Sequence, residues 1–151
     1  MDASLNADAT RGAERYLHYL HDVNPLGMVY LTNMYAYGAA NSANELYHSW
    51  FTDGSSLWDR AGVSCYGPAP GYLVGGPNPS YAVDRCCPAS CGSDQNNALC
   101  SSVSLMPPQG QPAQKSYKDF NANWPLDSWS VTEPSNGYQV PYIRLLFMFA
   151  K

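Results

Sequence analysis

Apolar side chains recur at helical spacing in two parts of this 151-residue chain, one near each end. The first run predicts an amphipathic helix that Asn24, Pro25 and Gly27 should end. Its apolar side is formed by Leu5, Ala9, Ala13, Tyr16, Leu17 and Leu20. The second run begins after residue 139 and carries apolar residues on almost every side, which predicts a helix buried nearly all round. Its regular positions are Val140, Ile143, Leu146 and Phe147.

The pattern between these two helices is weaker. Residues 28 to 32 form a short apolar segment, and residues 39 to 47 are predicted to form a second helix. From residue 51 to 125 the chain holds most of its Pro and Gly, which predicts loop. A loop this long in a compact domain is usually functional or pinned. We treat residues 1–151 as one domain, since that length suits one hydrophobic core.

All five cysteines fall in the predicted loop, at Cys65, Cys86, Cys87, Cys91 and Cys100. Zinc sites use paired cysteines at matching spacing, and this arrangement lacks that form. Disulfides that close short loops are the favoured interpretation, and the odd count leaves at least one thiol outside them. Disulfides would indicate an oxidising compartment, so we expect an extracellular protein whose signal peptide is not in this chain.

Charge is sparse along the chain. Charged residues make up 13% of it, against about 25% in ordinary domains. The net charge of −4 and the lack of a basic run argue against nucleic acid as a partner. The longest apolar run, LLFMFA, is far shorter than the ~20 residues that span a bilayer, which argues against a membrane. Low charge fits an uncharged polymer ligand, and it also fits surfaces that pack on further helices.

One carboxylate has a setting that favours chemistry. Glu133 is one of three Glu residues, is followed at once by Pro134, and lies between Trp129 and Tyr138. Desolvation among rings would raise its pKa and make it a general acid. Alternatively, Glu133 caps the helix that follows it. The local sequence leaves both interpretations open.

Aromatic side chains and histidines offer further candidates. Sugar rings stack on Trp and Tyr, and such residues are also common in cores. His18 and His21 lie three residues apart on the first predicted helix. They lack a third ligand for a metal, so we expect them on a solvated helical face. The candidate stacking residues are Trp50, Trp58, Tyr66, Tyr72, Trp124, Trp129 and Tyr138.

The chain's ending, SWSVTEPSNGYQVPYIRLLFMF, resembles the end of the catalytic domain of glycoside hydrolase family 9. The family's second signature places a proton-donating Glu two residues before a small residue and five before an aromatic. Glu133, Ser135 and Tyr138 fit those positions, whereas Gln139 replaces the family's Asn. The resemblance implies that Glu133 is the general acid and that Tyr138 contacts substrate.

Three earlier stretches extend the resemblance. NPLG at residues 24–27, followed by YLT at 30–32, is similar to the family's helix end and the segment after it. His48 matches the family's His-x-Arg element, which implies a substrate contact, while Trp50 replaces the Arg. Residues 67–81 resemble the family's long loop that reaches toward the last helices.

The family fold is a barrel of six helical hairpins. The resemblance therefore implies a mainly α chain, a partial (α/α)6-barrel-like helical domain with long irregular loops, from the C-terminal part of the catalytic domain. An inverting glycosidase needs two carboxyl groups ~6.5–9.5 Å apart. The family's base lies in an Asp-Ala-Gly-Asp segment that this chain lacks. Asp119, Asp127 or a second subunit would have to supply the base.

These features together predict a β-1,4-glucanase that acts on cellulose or cello-oligosaccharides, with Trp124 and Trp129 as stacking platforms. No cofactor is required, although calcium could bind as it does in many relatives. Homo-oligomers could form through exposed barrel faces. The alternatives are a non-catalytic glucan-binding or structural fragment, and a disulfide-pinned secreted domain without sugar function. The candidate calcium ligands are Asp53, Asp59, Asp84 and Asp119.

Overall fold

A computed structural model describes residues 3–47, 54–81, 92–119 and 129–150, with the side chains of residues 3–5 and 129 left out. The described part is mainly helical, with few strands. The helices are α1 (Ala3–Leu20), α2 (Asp94–Ser102), α3 (Trp129–Thr132) and α4 (Asn136–Phe147), and the strands are β1 (Val29–Thr32) and β2 (Ser42–Ala43). Short 3-10 turns cover Tyr35–Tyr37 and Ala113–Lys115. Among the described helices, none has the length and apolar content needed to cross a membrane.

Helix α1 confirms the first predicted helix, with Leu17 buried against the core and Tyr16 exposed. Asn24 fixes the turn that follows. Its side-chain amide donates to the carbonyl oxygens of Tyr19 at 2.8 Å and Met28 at 2.7 Å, so it joins the helix end to the next strand. An Asn that bonds nearby backbone in this way stabilises a turn rather than further helix.

The predicted helix at residues 39 to 47 is wrong, because β2 lies there and pairs in parallel with β1. The backbone groups that a helix would use are bonded to the neighbouring strand. Val29 donates to the Asn41 carbonyl at 2.8 Å, and Asn33 donates to that of Ala43 at 2.9 Å. The Ser42 hydroxyl adds a 2.6 Å bond to the Leu31 carbonyl. Tertiary pairing thus overrides local helix propensity.

The core is built around β1, whose last three residues are buried. Tyr30 is 1% exposed and its ring lies 5.6 Å from that of Tyr117 and 5.8 Å from that of Tyr19, measured between centroids. These aromatic contacts join α1, the strand pair and the segment after the second 3-10 turn. Apolar residues from all described regions complete the core, among them Leu31, Ala43, Leu73, Val74, Tyr81, Val131 and Tyr142.

Helix α2 lies inside the region predicted to be loop. Ser93 is its N-cap, because the Ser93 hydroxyl accepts a 3.2 Å bond from the Asn96 amide. Asp94 in the first turn also favours a helix start. The other described residues between 54 and 119 are irregular apart from one 3-10 turn and a β-bridge between Leu31 and Leu73. The loop prediction is therefore correct for most of this region and wrong for α2.

Helix α4 confirms the second predicted helix but not its burial. Tyr142 is the residue of α4 that is buried, while Phe147 is 75% exposed and Val140 is 52% exposed. One side of α4 packs near α1 and the loop at Leu73, and the opposite side is open. The prediction that α4 is buried nearly all round is therefore wrong for the described chain. The exposed apolar side of α4 is formed by Val140, Ile143, Phe147 and Met148.

Candidate active site

Glu133 directly follows α3 and lies three residues before α4, so both helix boundaries position it. The N-cap of α4 is Ser135, whose hydroxyl accepts a 3.0 Å bond from the Gly137 amide. The interpretation of Glu133 as the capping residue is therefore wrong. Glu133 is half-buried, so its side chain is partly open to solvent.

Tyr138 lies one helical turn beyond Glu133 and is also half-buried. Burial, followed by the nearby Glu133 carboxylate, raises the pKa of Tyr138 to about 12. The phenol therefore stays protonated at neutral pH and can donate a hydrogen bond to an oxygen close to the carboxylate. The fold thus brings together the two residues that the C-terminal motif predicts as acid and substrate contact.

Residues 67–81 pack against the backbone that carries Glu133. Gly76 donates to the Val131 carbonyl at 2.8 Å. A Cβ on Gly75 would lie 3.2 Å from the Val131 carbonyl oxygen and 3.6 Å from that of Glu133, so a side chain there would press on backbone. The prediction that this loop reaches toward the last helices is confirmed.

Gln139 ties the same loop to α4. Its amide oxygen accepts a 3.0 Å bond from the Leu73 amide, and its amide nitrogen donates to the Leu73 carbonyl. On the other side of Leu73, Val74 donates to the carbonyl of Tyr30 in β1 at 3.0 Å. The loop therefore lies between β1 and α4 and fixes their separation next to the site.

Asn78 connects the loop to two further segments. Its backbone amide donates to the Ser116 carbonyl at 2.9 Å, and its side-chain amide donates to the Ser130 carbonyl at 3.4 Å. Ser116 lies three residues before Asp119, and Ser130 lies three residues before Glu133. One loop residue thus joins the segments that carry the predicted acid and one of the two predicted bases.

Asp119 is held by three donors, the Tyr117 hydroxyl and the backbone amides of Asn44 and Glu45. Its carboxylate oxygens accept bonds of 2.6 Å from the Tyr117 hydroxyl and 2.7 Å from the Asn44 amide. Burial raises the pKa of Asp119, although these bonds and the Arg60 charge act in the opposite direction. Asp119 also borders an open cleft of about 460 Å³. The cleft is lined in part by Asn41, Asn44, Arg60, Tyr117 and Lys118.

Glu45 is a second carboxylate in this region, and it was not among the site residues predicted from the sequence. It is 1% exposed, and its Oε1 accepts a bond from the Arg60 guanidinium, while Oε2 has no hydrogen-bond partner among the described residues. Burial raises the pKa of Glu45 against the lowering effect of Arg60, and the nearby Asp119 adds to the rise. The signal in the sequence was weak: an acid next to the small and apolar residues of β2 in a chain with few charges.

Several predicted site residues lie outside the described part of the chain. They are His48, Trp50, Trp124 and Asp127, together with the Trp129 side chain and two of the candidate calcium ligands, Asp53 and Asp84. Within the described residues, no group of three His, Cys, Asp or Glu side chains could hold a metal ion.

Cys65 is exposed, and Cys100 is half-buried on α2. No disulfide joins these two described cysteines, and Cys86, Cys87 and Cys91 lie outside the described residues. Disulfide pinning is therefore not supported where the structure can test it. Hydrogen bonds pin the described loop instead. Asn33, for example, donates to the carbonyl oxygens at 66 and 68.

The two histidines predicted on the first helix differ in environment. His21 lies just after α1, and its Nε2 shares a 2.7 Å hydrogen bond with the Tyr142 hydroxyl of α4. Burial lowers the pKa of His21, and His18 lowers it further. The expectation of a solvated face is therefore wrong for His21. His18 is exposed and lies 3.9 Å from Glu14.

The model of one protein family, Glycosyl hydrolase family 9, matches residues 2–146. No curated protein and no solved structure matches the chain significantly. The matched range includes the acid motif, the loop at 67–81 and both strands, so it spans every element that shapes the site around Glu133. The chain therefore belongs to glycosyl hydrolase family 9.

Proposed function

We propose that this chain provides the acid side of an inverting β-1,4-glucan hydrolase site, in which Glu133 protonates the leaving glycosidic oxygen. The observation that carries the proposal is the pairing of Glu133 with Tyr138 beside a loop that fixes the backbone at Val131. Membership of a glycosyl hydrolase family supports hydrolysis of a glycosidic bond as the reaction.

The chemistry follows from two proton transfers. Glu133 gives its proton to the oxygen that leaves the anomeric carbon, while a base removes a proton from the attacking water on the opposite face of the sugar. Tyr138, neutral at working pH, donates a hydrogen bond to a sugar hydroxyl or to the Glu133 carboxylate formed by the transfer. His48, Trp124 and Trp129 complete the proposal as substrate contacts.

Asp119 is the candidate base among the described residues. Its carboxylate accepts bonds from the Tyr117 hydroxyl and from the backbone amides of Asn44 and Glu45. A carboxylate has about four lone-pair sites, so a site remains that can accept a proton from water. Its raised pKa suits a base better than an ordinary aspartate would, and its position on the cleft gives access. Asp127 and an aspartate from a second subunit are the rival sources.

The same proposal includes a partial (α/α)6-barrel-like architecture for residues 1–151 as one domain. In such a barrel the exposed apolar side of α4 would pack on further helices or on another copy. Extracellular action, independence from cofactors and optional calcium are also parts of the proposal.

The decisive experiment compares wild type with Glu133→Gln on soluble cello-oligosaccharides and on a dinitrophenyl β-cellobioside. Loss of a general acid should lower kcat/KM on the oligosaccharide by about 10²–10⁴-fold. Activity on the aryl substrate should persist, because its leaving group needs little protonation. Glu14→Gln is the matched control, since it makes the same change at an exposed Glu on α1 and should leave both activities unchanged.

Four other outcomes would contradict parts of the proposal. Equal loss on both substrates would mean that Glu133 has a structural role. Binding of oligosaccharide without release of reducing sugar by wild type would favour a non-catalytic glucan-binding protein. A first product that NMR shows to be the β-anomer would exclude inversion. Full activity in Asp119→Asn would show that the base is not Asp119, which leaves Asp127 or an aspartate of a second subunit.

A further inference from the structure

Two exposed aromatic rings form a stacked pair away from Glu133 in the sequence. The rings of Trp58 and Tyr66 lie 4.7 Å apart between centroids at an interplanar angle of 27°. Trp58 is 44% exposed and Tyr66 is 61% exposed. Aromatic side chains of this size usually bury more of their surface, so a stacked pair open to solvent indicates a binding surface.

The backbone holds the pair in place before any ligand arrives. The Ser55 hydroxyl accepts bonds from the Leu57 amide at 3.1 Å and the Trp58 amide at 3.3 Å. Tyr66 donates to the Leu57 carbonyl at 2.8 Å, and its own carbonyl accepts a 3.0 Å bond from Asn33. A ligand that stacks on such a preorganised pair loses little affinity to ordering of the rings.

The stretch of sequence that carries the pair is nearly neutral. Residues 54–67 contain only two charged side chains, Asp59 and Arg60, and the Arg60 guanidinium is bonded to the buried Glu45. The neighbouring polar groups are hydroxyls, at Ser55, Ser56 and Ser64. Flat apolar rings beside hydroxyl groups suit an uncharged ligand that has apolar faces and hydroxyl edges.

We propose that the Trp58–Tyr66 pair is a stacking platform for a β-1,4-glucan chain, separate from the contacts around Glu133. This inference rests on the proposed function for its ligand. Tyr66 leads directly into the loop that contacts the Glu133 segment at Gly75 and Gly76. The nine residue-to-residue steps from Tyr66 to Gly75 can span at most about 30 Å, so one oligosaccharide of moderate length can reach both places.

The test measures binding of cellohexaose by calorimetry in a Glu133→Gln background, so that turnover does not consume the ligand. Trp58→Ala and Tyr66→Ala should each weaken binding about tenfold. Tyr66→Phe keeps the ring and should bind like the parent. Tyr37→Ala removes another exposed tyrosine, 69% exposed, and should also bind like the parent. Circular dichroism of each variant checks that the fold is retained.

Unchanged affinity in Trp58→Ala and Tyr66→Ala would overturn the platform. An equal loss in Tyr37→Ala, or equal affinity for a β-1,3-glucan oligosaccharide, would also overturn it as a specific site. Failure of hydrolysis is a separate result. If wild type binds cellohexaose through the platform but releases no sugar, the platform stands and the hydrolase proposal fails. If wild type hydrolyses cellohexaose and Trp58→Ala binds it as tightly as the parent, the hydrolase proposal stands and the platform fails.

Discussion

Gln139 forms two hydrogen bonds to the backbone of Leu73. Its side-chain oxygen accepts from the Leu73 amide, and its side-chain nitrogen donates to the Leu73 carbonyl. The pair of bonds joins α4 to the loop that supports the Glu133 segment. Asn is shorter by one methylene and would not make both bonds. We expect Gln139→Asn to lower the free energy of unfolding by about 1–3 kcal/mol, since it leaves backbone groups of a buried residue unpaired.

Urea unfolding gives that free energy, and hydrogen exchange at the Leu73 amide shows whether the loop has loosened. Gln95→Asn is the control, because it makes the same change at an exposed position on α2. If Leu73 exchanges equally slowly in Gln139→Asn, the two bonds do not hold the loop.

Gly75 passes close to the backbone of the acid segment. Gly75→Ala places a Cβ 3.2 Å from the Val131 carbonyl oxygen, and backbone cannot yield as a flexible side chain would. We expect a loss of about 1 kcal/mol in stability and a lower kcat, because the Glu133 backbone must shift. Gly12→Ala on α1 meets nothing within 4 Å and should instead stabilise by about 0.5–1 kcal/mol. Unfolding curves measure the stability of both variants, and oligosaccharide kinetics measure their kcat. Equal kcat in Gly75→Ala and wild type would refute the close approach.

The buried Glu45 carboxyl should make the free energy of unfolding depend on pH. Burial raises its pKa above the ordinary value of 4.5, so between that value and the higher folded pKa the folded state holds more protons than the unfolded state. The contribution is complete below pH 4.5 and is lost as pH rises through the folded pKa. Glu45→Gln should flatten the fall in unfolding free energy above pH 4.5, by at most about 1.4 kcal/mol per pH unit for one proton.

Denaturant titrations at a series of pH values measure this slope. Glu14→Gln again serves as control, because the exposed carboxylate should leave the slope as in wild type. Asp119, whose pKa is raised by the same cause, should keep a residual slope in Glu45→Gln. A slope that Glu45→Gln leaves unchanged would contradict the role of burial.

His21 should give the free energy of unfolding a pH dependence of the opposite sign to that of Glu45. Its pKa is lowered from 6.5, first by burial and then by His18, while Asp22 opposes the change. Its contribution is present above pH 6.5 and is lost as pH falls through the lower folded pKa. His21→Gln should therefore reduce the loss of stability on acidification below pH 6.5. Thermal unfolding between pH 7.5 and 5 tests this, and a steeper loss in the variant would show the wrong sign.

The exposed apolar side of α4 predicts self-association. Phe147 is 75% exposed on this side, and Phe147→Lys should shift sedimentation toward the monomer at concentrations where wild type associates. Val23→Lys changes an exposed apolar residue elsewhere and should leave association as it was. A wild type that sediments as a monomer at all concentrations would remove this part of the proposal.

The features that sequence alone could predict are those set by local spacing. The periodicity of α1, the apolar segment at β1 and the closeness of Glu133 to Tyr138 all follow from residues a few positions apart. Ser93 before Asp94 was a usable helix start that the abundance of Pro and Gly obscured.

The remaining features depend on distant partners. β2 is two residues long and exists because β1 pairs with it, so no pattern within residues 39–47 could reveal it. The burial of Glu45 depends on Arg60, which lies fifteen residues away, and the exposure of α4 depends on what packs beside it. Periodicity shows that a helix has apolar faces, but it does not show which of them are covered.

The contacts that hold the Glu133 segment in place also affect the order in which parts of the chain fold. Gly76 and Val131 are 55 residues apart in sequence, and Leu73 and Gln139 are 66 apart. Contacts between such distant residues form slowly, because the entropy of closing the intervening chain is lost before they stabilise anything. During synthesis the loop emerges well before α4, so the partners of its backbone groups are made later than the loop itself. Among the described parts of the chain, the site around Glu133 should therefore form later than elements such as α1 that depend on local contacts.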